Sequence, residues 1–422
     1  MYKLTSLLTM LSFLLITVAS AQTQGDTLFL QTTKHAGYGL YEGGHWSRHL
    51  YDIPEGDELR RVIPEGLSDL KVGREDIDLK VYQYQRLVDD QPEYLPEFLT
   101  INYPSRIDTA NLPSPAQNTV EIILGRRDGQ EVFIVDENGN RDYRDDAIRP
   151  LIDMQTAMET TQPSKCHFSI YNGNAIVRDS GWIYVGLGNE EKIRVSVAQH
   201  LQASLEIDGQ DYTLQAVSWI PSIGFCFDSP KISITAQNGI TKDSLLFSDQ
   251  FELGEYLKLG KDYYQFAGMA NDGSAITLIR EEDVSDKIGT QPGFIAPEFS
   301  AVTTAGDSIE LADYRAQYLL LVNITACWSE KMSYEHYKEL WEDHHEKIAM
   351  VAIDESPNAL AVNIQDLDLA GKFVIGKEHP SVKRNYREDF CSRVCFLIDP
   401  SGQIVDRFEI GDWRQALATH FE

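Results

Sequence analysis

The sequence predicts two kinds of architecture in series: a β-rich N-terminal region, built as an antiparallel sandwich or barrel-like assembly, followed by an α/β C-terminal domain. Three observations carry this. Between about 119 and 280, short β-type runs are separated by Asp128-Gly129, Asp208-Gly209, Asn238-Gly239 and Asp272-Gly273. These are hairpin dipeptides at the spacing of antiparallel all-β folds. Beyond Thr290-Gln291-Pro292-Gly293 the texture changes, and strand and helix runs alternate as they do in α/β domains. Within that stretch, the apolar run 319–324 passes through a tight turn into an amphipathic helix over 331–347. At 422 residues the chain is too long for one ordinary core, which favours two or three domains. An apolar content of 42% with 10% aromatics supports real burial and excludes a disordered chain.

Residues 1–21 read as an export signal. Lys3 precedes an apolar stretch at 7–18, and Ala19-Ser20-Ala21 forms a small-residue cleavage site. The mature protein is expected to begin near Gln22 and to be periplasmic or secreted. No later run reaches the ~18 apolar residues that a membrane span requires, so no integral membrane segment is expected. Residues 22–115 form a mixed β segment with strand-like runs at 27–31 and 79–88. Five prolines between 92 and 115 mark an extended linker, because proline suits neither a helix interior nor a central strand.

Residues 116–290 form the β-rich domain, with strands expected at 120–125, 131–135, 181–187, 192–197, 202–207, 211–217, 232–236, 263–267 and 275–279. No helical periodicity of any length occurs between about 175 and 285, and no repeat period suggests a solenoid or propeller. Residues 291–422 form the α/β domain. Strands are expected at 319–324, 349–353 and 373–375, helices at 331–347 and 357–366, a hairpin at 395–399 and 404–408 over Pro400-Ser401-Gly402, and a closing helix at 413–421.

The formal charge of −28 excludes a general affinity for nucleic acid or anionic lipid, both of which need basic patches. Five cysteines (166, 226, 327, 391 and 395) are too few to staple an exported chain of this length. Their odd number leaves at least one unpaired within the chain.

Five short motifs in order carry a resemblance. They are Gly293-Phe-Ile-Ala-Pro-Glu-Phe299, Ser308-Ile-Glu-Leu-Ala-Asp-Tyr314, Leu321-Val-Asn-Ile-Thr-Ala-Cys-Trp328, Val351-Ala-Ile-Asp354 and Phe396-Leu-Ile-Asp-Pro-Ser-Gly-Gln-Ile-Val405. Together they make residues 293–422 similar to the TlpA-like and AhpC/TSA-type redoxins, thioredoxin-fold proteins of the bacterial cell envelope. More loosely, 251–264 and 272–278 resemble the β-rich segment preceding the redoxin domain in some exported relatives. The resemblance implies a Cys-x-x-Cys pair at the start of the helix that follows Trp328, where the helix dipole makes the first thiol a nucleophile.

Three positions depart from that pattern. Ser329 and Met332 stand where the family has its two cysteines, and Arg393 stands where it has a cis-proline. A serine hydroxyl cannot form a disulfide and a thioether cannot resolve one. A non-proline cis bond costs ~3 kcal/mol, so Arg393 is expected to be trans.

Three functional readings follow. The leading one is a redoxin-family protein related to thiol-disulfide oxidoreductases, with a degenerate centre and a role in binding or envelope assembly. Its partner would be an exported protein, meeting the surface from Trp328 to Arg393 and the sheet edge. The rival is a working thiol-disulfide oxidoreductase or peroxidase acting on a thiol or disulfide substrate, with Cys327 as nucleophile and Cys391 or Cys395 as its partner. Both flank the lost proline, on a strand expected to lie beside the one ending near Cys327. The peroxidatic Thr-x-x-Cys is absent, since Thr325-Ala326-Cys327 is one residue short.

The third reading is a calcium-dependent adhesion module. Asp136, Asn138, Asn140 and Asp142 alternate as oxygen donors do in a calcium loop. However, Arg141 stands where the loop wants glycine, no Glu occupies the twelfth place, and the stretch also reads as a hairpin turn. No other cofactor is required. The histidines at 35, 45, 49, 336, 344 and 345 have no metal spacing, and no Gly-x-Ser-x-Gly, Walker or dinucleotide motif occurs.

Overall fold

The computed structural model describes residues 22–421 apart from 25, 42, 77–92, 94–118, 172–175, 189–191, 219–224, 228–229, 325–329, 355 and 387–392. The predicted strand at 79–88 and nearly all of the proline-rich stretch lie outside the described residues.

The N-terminal region consists of two interleaved β units. One is a sandwich. Its first sheet runs Gln22–Gln24, Thr27–Gln31, Ala275–Glu281, Asp262–Met269, Tyr256–Leu259 in spatial order. Its second runs Ile240–Thr241, Lys231–Gln237, Gln210–Val217, Gln199–Ile207, Thr33–Ala36, with Phe251–Glu252 also paired to Lys231–Gln237. Leu30, Leu201, Leu214, Ile232, Leu257, Phe266 and Leu278 meet between the sheets in one dry core. Alternation produces this core: in Asp262–Met269 and Gln199–Ile207, buried residues tend to alternate with more exposed ones. The chain changes sheets at Thr32, whose N–H donates to the Ser274 carbonyl at 3.1 Å. The adjacent turn needs Gly273, which has φ +75°. A Cβ there would strike Leu201 and the Phe227 ring, so the corner closes only around a hydrogen atom.

The second unit is an eight-stranded antiparallel half-barrel. Its order is Arg149–Pro150, Gln130–Val135, Thr119–Arg127, Ser68–Asp76, Trp46–Asp52, Lys192–Val197, Ile176–Leu187, Ser164–Tyr171. Its concave face is filled by Ile122, Leu124, Phe133, Ile183 and Val195. The alternate residues Ile123 and Ile134 face outward, where Ile53, Ile63, Val72 and Tyr143 cover them.

The half-barrel is inserted between the sandwich strands Thr33–Ala36 and Gln199–Ile207, which pair with each other. The expected division at 115/116 therefore does not separate two units. Ser68–Asp76 pairs with Thr119–Arg127 across it, and residues 27–36 belong with residues 199–281. Sequence-adjacent strands were readable from their turns, whereas this long-range pairing leaves no local trace.

Residues 294–421 build a five-stranded sheet in the order Lys372–Ile375, Ala349–Asp354, Leu319–Asn323, Val394–Ile398, Ile404–Glu409. The first three strands are parallel and the last two antiparallel. All five residues of Leu319–Asn323 are buried, as a central strand covered on both faces requires. One face packs against Tyr334, Tyr337 and Leu340 of helix Glu330–His344 and Trp413 and Leu417 of helix Trp413–Phe421. The other packs against Phe299, Ile309 and Leu311 of the entry segment and against Val382. Helix Pro357–Leu367 starts on Ser356, whose Oγ accepts the Ala359 N–H at 3.2 Å, with proline at the first position.

The α/β sheet is joined to the sandwich by a buried polar knot. Arg407, only 3% exposed, donates through Nη1 to Glu255 Oε1 at 3.2 Å and through Nη2 to the Gln250 carbonyl at 2.8 Å. The same Glu255 oxygen accepts Gln291 Nε2 at 2.7 Å, while Oε2 accepts the Glu252 N–H at 2.8 Å. Phe294 fills the space beside it, 5.0 Å from the Tyr256 ring and 5.7 Å from that of Tyr263. Removing one member of a buried ion pair strands the other charge. Arg407→Ala is therefore expected to destabilise the protein by about 3–5 kcal/mol. The double change Arg407→Met/Glu255→Gln should recover most of that loss, and urea unfolding of the two variants checks the difference.

Candidate functional site

In this domain the chemically informative place is the carboxyl end of Leu319–Asn323, where the central strand hands over to helix Glu330–His344. Asn323, fully buried, ends the strand. Its Nδ2 donates to the Val394 carbonyl at 2.9 Å and to the Tyr386 carbonyl at 3.3 Å, tying the strand to the segments on either side of 387–392. Its Oδ1 is buried without a hydrogen-bond partner among the described residues.

One strand over, Asp354 closes Ala349–Asp354 and is 1% exposed. Its Oδ2 accepts a short hydrogen bond from the Tyr334 hydroxyl on the helix, and its Oδ1 accepts the Ser356 N–H at 2.8 Å. The sequence reading placed Asp354 on a strand and did not see this buried acid. The available signal was a carboxylate directly after the apolar run Val351-Ala352-Ile353.

Of the expected site residues, Cys327, Trp328, Ser329 and Cys391 lie outside the described residues. Met332 is on the first turn of the helix with its side chain 46% exposed. Arg393 is half-buried, and its carbonyl accepts the Ile410 N–H at 2.9 Å. No peptide bond among the described residues is cis.

Cys395 is a free thiol, fully buried opposite Val322 and packed among the residues of the helix-covered face. Burial, with a smaller contribution from Glu409, pushes its pKa well above the ordinary thiol value. A thiol held neutral is neither a nucleophile nor a metal ligand. Cys166 is likewise a free thiol, and both it and Cys226 are buried.

The loop expected to bind calcium is an independent feature on the half-barrel. Asp136 Oδ1 accepts the N–H groups of Gly139 and Asn140 at 2.7 and 3.2 Å, and Oδ2 accepts that of Arg141 at 2.8 Å. Asn138 and Asn140 each cap the N–H two residues on and turn their Nδ2 groups toward Asp145. Asp142 instead holds Arg144 at 2.7 Å, which keeps its carboxyl at about 2. Arg141 takes the left-handed conformation (φ +61°) at the place where a calcium loop has glycine. Among the described residues no three His, Cys, Asp or Glu side chains are grouped as metal ligands.

Asp146 is the electrostatically burdened member of the loop. Its Oδ1 accepts the Glu137 N–H at 3.0 Å, its Oδ2 has no hydrogen-bond partner among the described residues, and burial together with Asp136, Asp145 and Glu137 raises its carboxyl to about 6. Two of the helix histidines make structural contacts. His345 stacks on Trp341 at 5.2 Å and bonds its carbonyl, and His344 meets the Trp413 ring edge-on at 5.4 Å.

Strand order and connectivity define the class of this domain. Three parallel strands followed by an antiparallel hairpin, with the strand-to-helix handover at the centre, form a thioredoxin-type arrangement. No protein-family model matches the chain. A comparison with curated proteins finds no match.

Solved structures similar to part of the chain are thioredoxin-like thiol-disulfide oxidoreductases and a peroxiredoxin. The thioredoxin domain of a thiol-disulfide oxidoreductase from Bacteroides vulgatus is 16% identical, covering 31% of this chain and 98% of that one (TM-score 0.27). A thiol:disulfide interchange protein DsbE from Chlorobium tepidum is 13% identical over 32% and 98% (TM-score 0.26). Peroxiredoxin Q from Xanthomonas campestris is 12% identical over 29% and 91% (TM-score 0.26).

The Tyr334–Asp354 bond spans helix and sheet beside the handover. Tyr334→Phe leaves a buried carboxylate short of a donor and is expected to cost about 1–3 kcal/mol at neutral pH. Chemical unfolding of both proteins at pH 7 measures it.

Proposed function

We propose that this is an exported protein whose redoxin-type domain has given up thiol-disulfide exchange and acts by binding a protein partner in the cell envelope. The reading rests on Met332. In the position of the family's second cysteine, an exposed thioether faces outward from the helix start. It can make contacts with a partner but cannot take part in sulfur exchange. Ser329 in the companion position supports the same conclusion, and the contact zone would surround Trp328, Met332 and Arg393. The leader-like segment 1–21 supports export.

The rival enzyme reading loses Cys395, whose buried neutral thiol sits in the core, and so reduces to the pair Cys327 and Cys391. Insulin-reduction and peroxide assays on the mature protein separate the two. The binding reading expects background turnover and the same free-thiol count before and after mild reduction. Turnover abolished by Cys327→Ser or Cys391→Ser would refute it. Installing Ser329→Cys with Met332→Cys should create a pair that oxidises to a disulfide, showing that the scaffold retains the geometry while the chain lacks the atoms.

A second reading concerns the 136–146 loop, and the observation favouring it is Asp146. A half-buried carboxylate whose Oδ1 accepts the Glu137 N–H at 3.0 Å while Oδ2 has no partner among the described residues, set among three other acids, is the kind of charge that a calcium ion would neutralise. Without the ion, Asp146 contributes most to stability when protonated, and that contribution is lost as pH rises through about 6. Asp146→Asn should therefore raise the melting temperature at pH 7.5 in chelator and flatten its change between pH 5 and 7. Added calcium should raise the melting temperature of the parent protein but not of the variant. Indifference of the parent to calcium and chelator removes the ion from the account.

A further inference from the structure

The half-barrel has an open mouth that none of the readings above uses. Five strands bring their ends to it: Ser68–Asp76, Gln130–Val135 and Lys192–Val197 begin there, and Thr119–Arg127 and Ile176–Leu187 finish there. Between them lies a cavity of about 620 Å³. That is within the range of small-molecule sites, and the mouths of β-barrels are among their usual places.

The floor is apolar. Leu124, Leu151 and Ile193 close it from the core, and Leu50 and the 37% exposed Leu187 form its sides. The rim is charged, but its charges are not equivalent. Arg126 and Glu131 face each other across the hairpin and pair at 3.5 Å, which cancels both. Asp69 accepts only the Ser68 hydroxyl, at 3.4 Å. Lys71 and Lys192 are half-buried and make no ion pair or side-chain hydrogen bond among the described residues. With Arg126 and Glu131 paired, the two unpaired ammonium groups outnumber the single Asp69 carboxylate, so the rim of this apolar well is net positive in a chain of net charge −28.

We infer that this mouth binds an amphiphilic monocarboxylate of the fatty-acid type, with the acyl chain on the leucine floor and the carboxylate between Lys71 and Lys192. Neither part of the ligand suffices alone. Among the described residues the floor is lined by leucine and isoleucine side chains with no polar side chain to hold a sugar or base. A cationic amphiphile would fit the floor but meet the wrong sign at the rim.

The test is calorimetric titration of the full mature chain with laurate below its micellar concentration. Two controls accompany it: butyrate, which has the head without the tail, and dodecyltrimethylammonium, which has the tail with the opposite head. Laurate should bind one to one, butyrate about a hundredfold more weakly, and dodecyltrimethylammonium should fail to displace laurate. Lys71→Glu and Lys192→Glu should each weaken laurate by about tenfold or more. Leu187→Asp, at an exposed position, should weaken it without lowering the melting temperature. Three results would overturn the inference: equal binding of the two long-chain amphiphiles, laurate affinity indifferent to both lysine changes, or no binding up to about 1 mM.

Discussion

The ion pair between Arg407 and Glu255 decides what kind of object this protein is. Ile404–Glu409 is the last strand of the α/β sheet, and an outer strand ordinarily presents unpaired backbone groups to solvent. Here Ile404 exchanges hydrogen bonds with Gly293 and Phe294 of the entering chain, and Arg407 is drawn into the sandwich. A charge buried to this degree is tolerable only because its partner is fixed. Glu255 is fixed by the Glu252 amide, by Gln291 and by Thr290. The two halves of the chain are therefore joined through a buried set of hydrogen-bonded side chains centred on Arg407 and Glu255.

That junction also sets which end of the α/β sheet is available. The grip falls on residues 404–407, which pair with residues 396–398. The handover from strand to helix lies toward Val394 and Glu409, at the other end of the same hairpin. The N-terminal region thus anchors the domain while leaving its site end uncovered by the knot. At that end the polar atoms described are structural. Asn323 spends its amide on two carbonyls, Asp354 spends its carboxylate on a hydroxyl and an amide, and Cys395 is sealed in the core.

Much of this was legible along the chain, for reasons that differ by element. The strands 349–353, 373–375 and 395–398 show themselves as uninterrupted apolar runs bounded by turn residues, because strands covered on both faces need no alternation. The sandwich strands show themselves through Asp-Gly and Asn-Gly corners, with Asp208 and Asn238 both left-handed. Helices Met154–Thr160 and Pro380–Asn385 went unread; each has only about two turns, too few for a period to emerge. The interleaving of sandwich and half-barrel was hidden for another reason. It depends on Thr33–Ala36 finding Gln199–Ile207 across more than 160 residues, and nothing in either segment names its partner. The knot was hidden likewise. Arg407 sits in a strand otherwise read as a hairpin arm, and only three-dimensional packing distinguishes it from a surface arginine.

The interleaving has a mechanical consequence. Ala36 pairs with Gln199 in the sandwich, and a few residues on, Trp46 pairs with Val195 in the half-barrel. The inserted unit thus enters and leaves through adjacent positions, both held in sheets, and the link is a seam of two strands instead of a loose tether. The seam runs from half-barrel to sandwich, and the Glu255 knot runs from sandwich to α/β domain. The three units are thus linked by paired strands on one side and by a buried ion pair on the other.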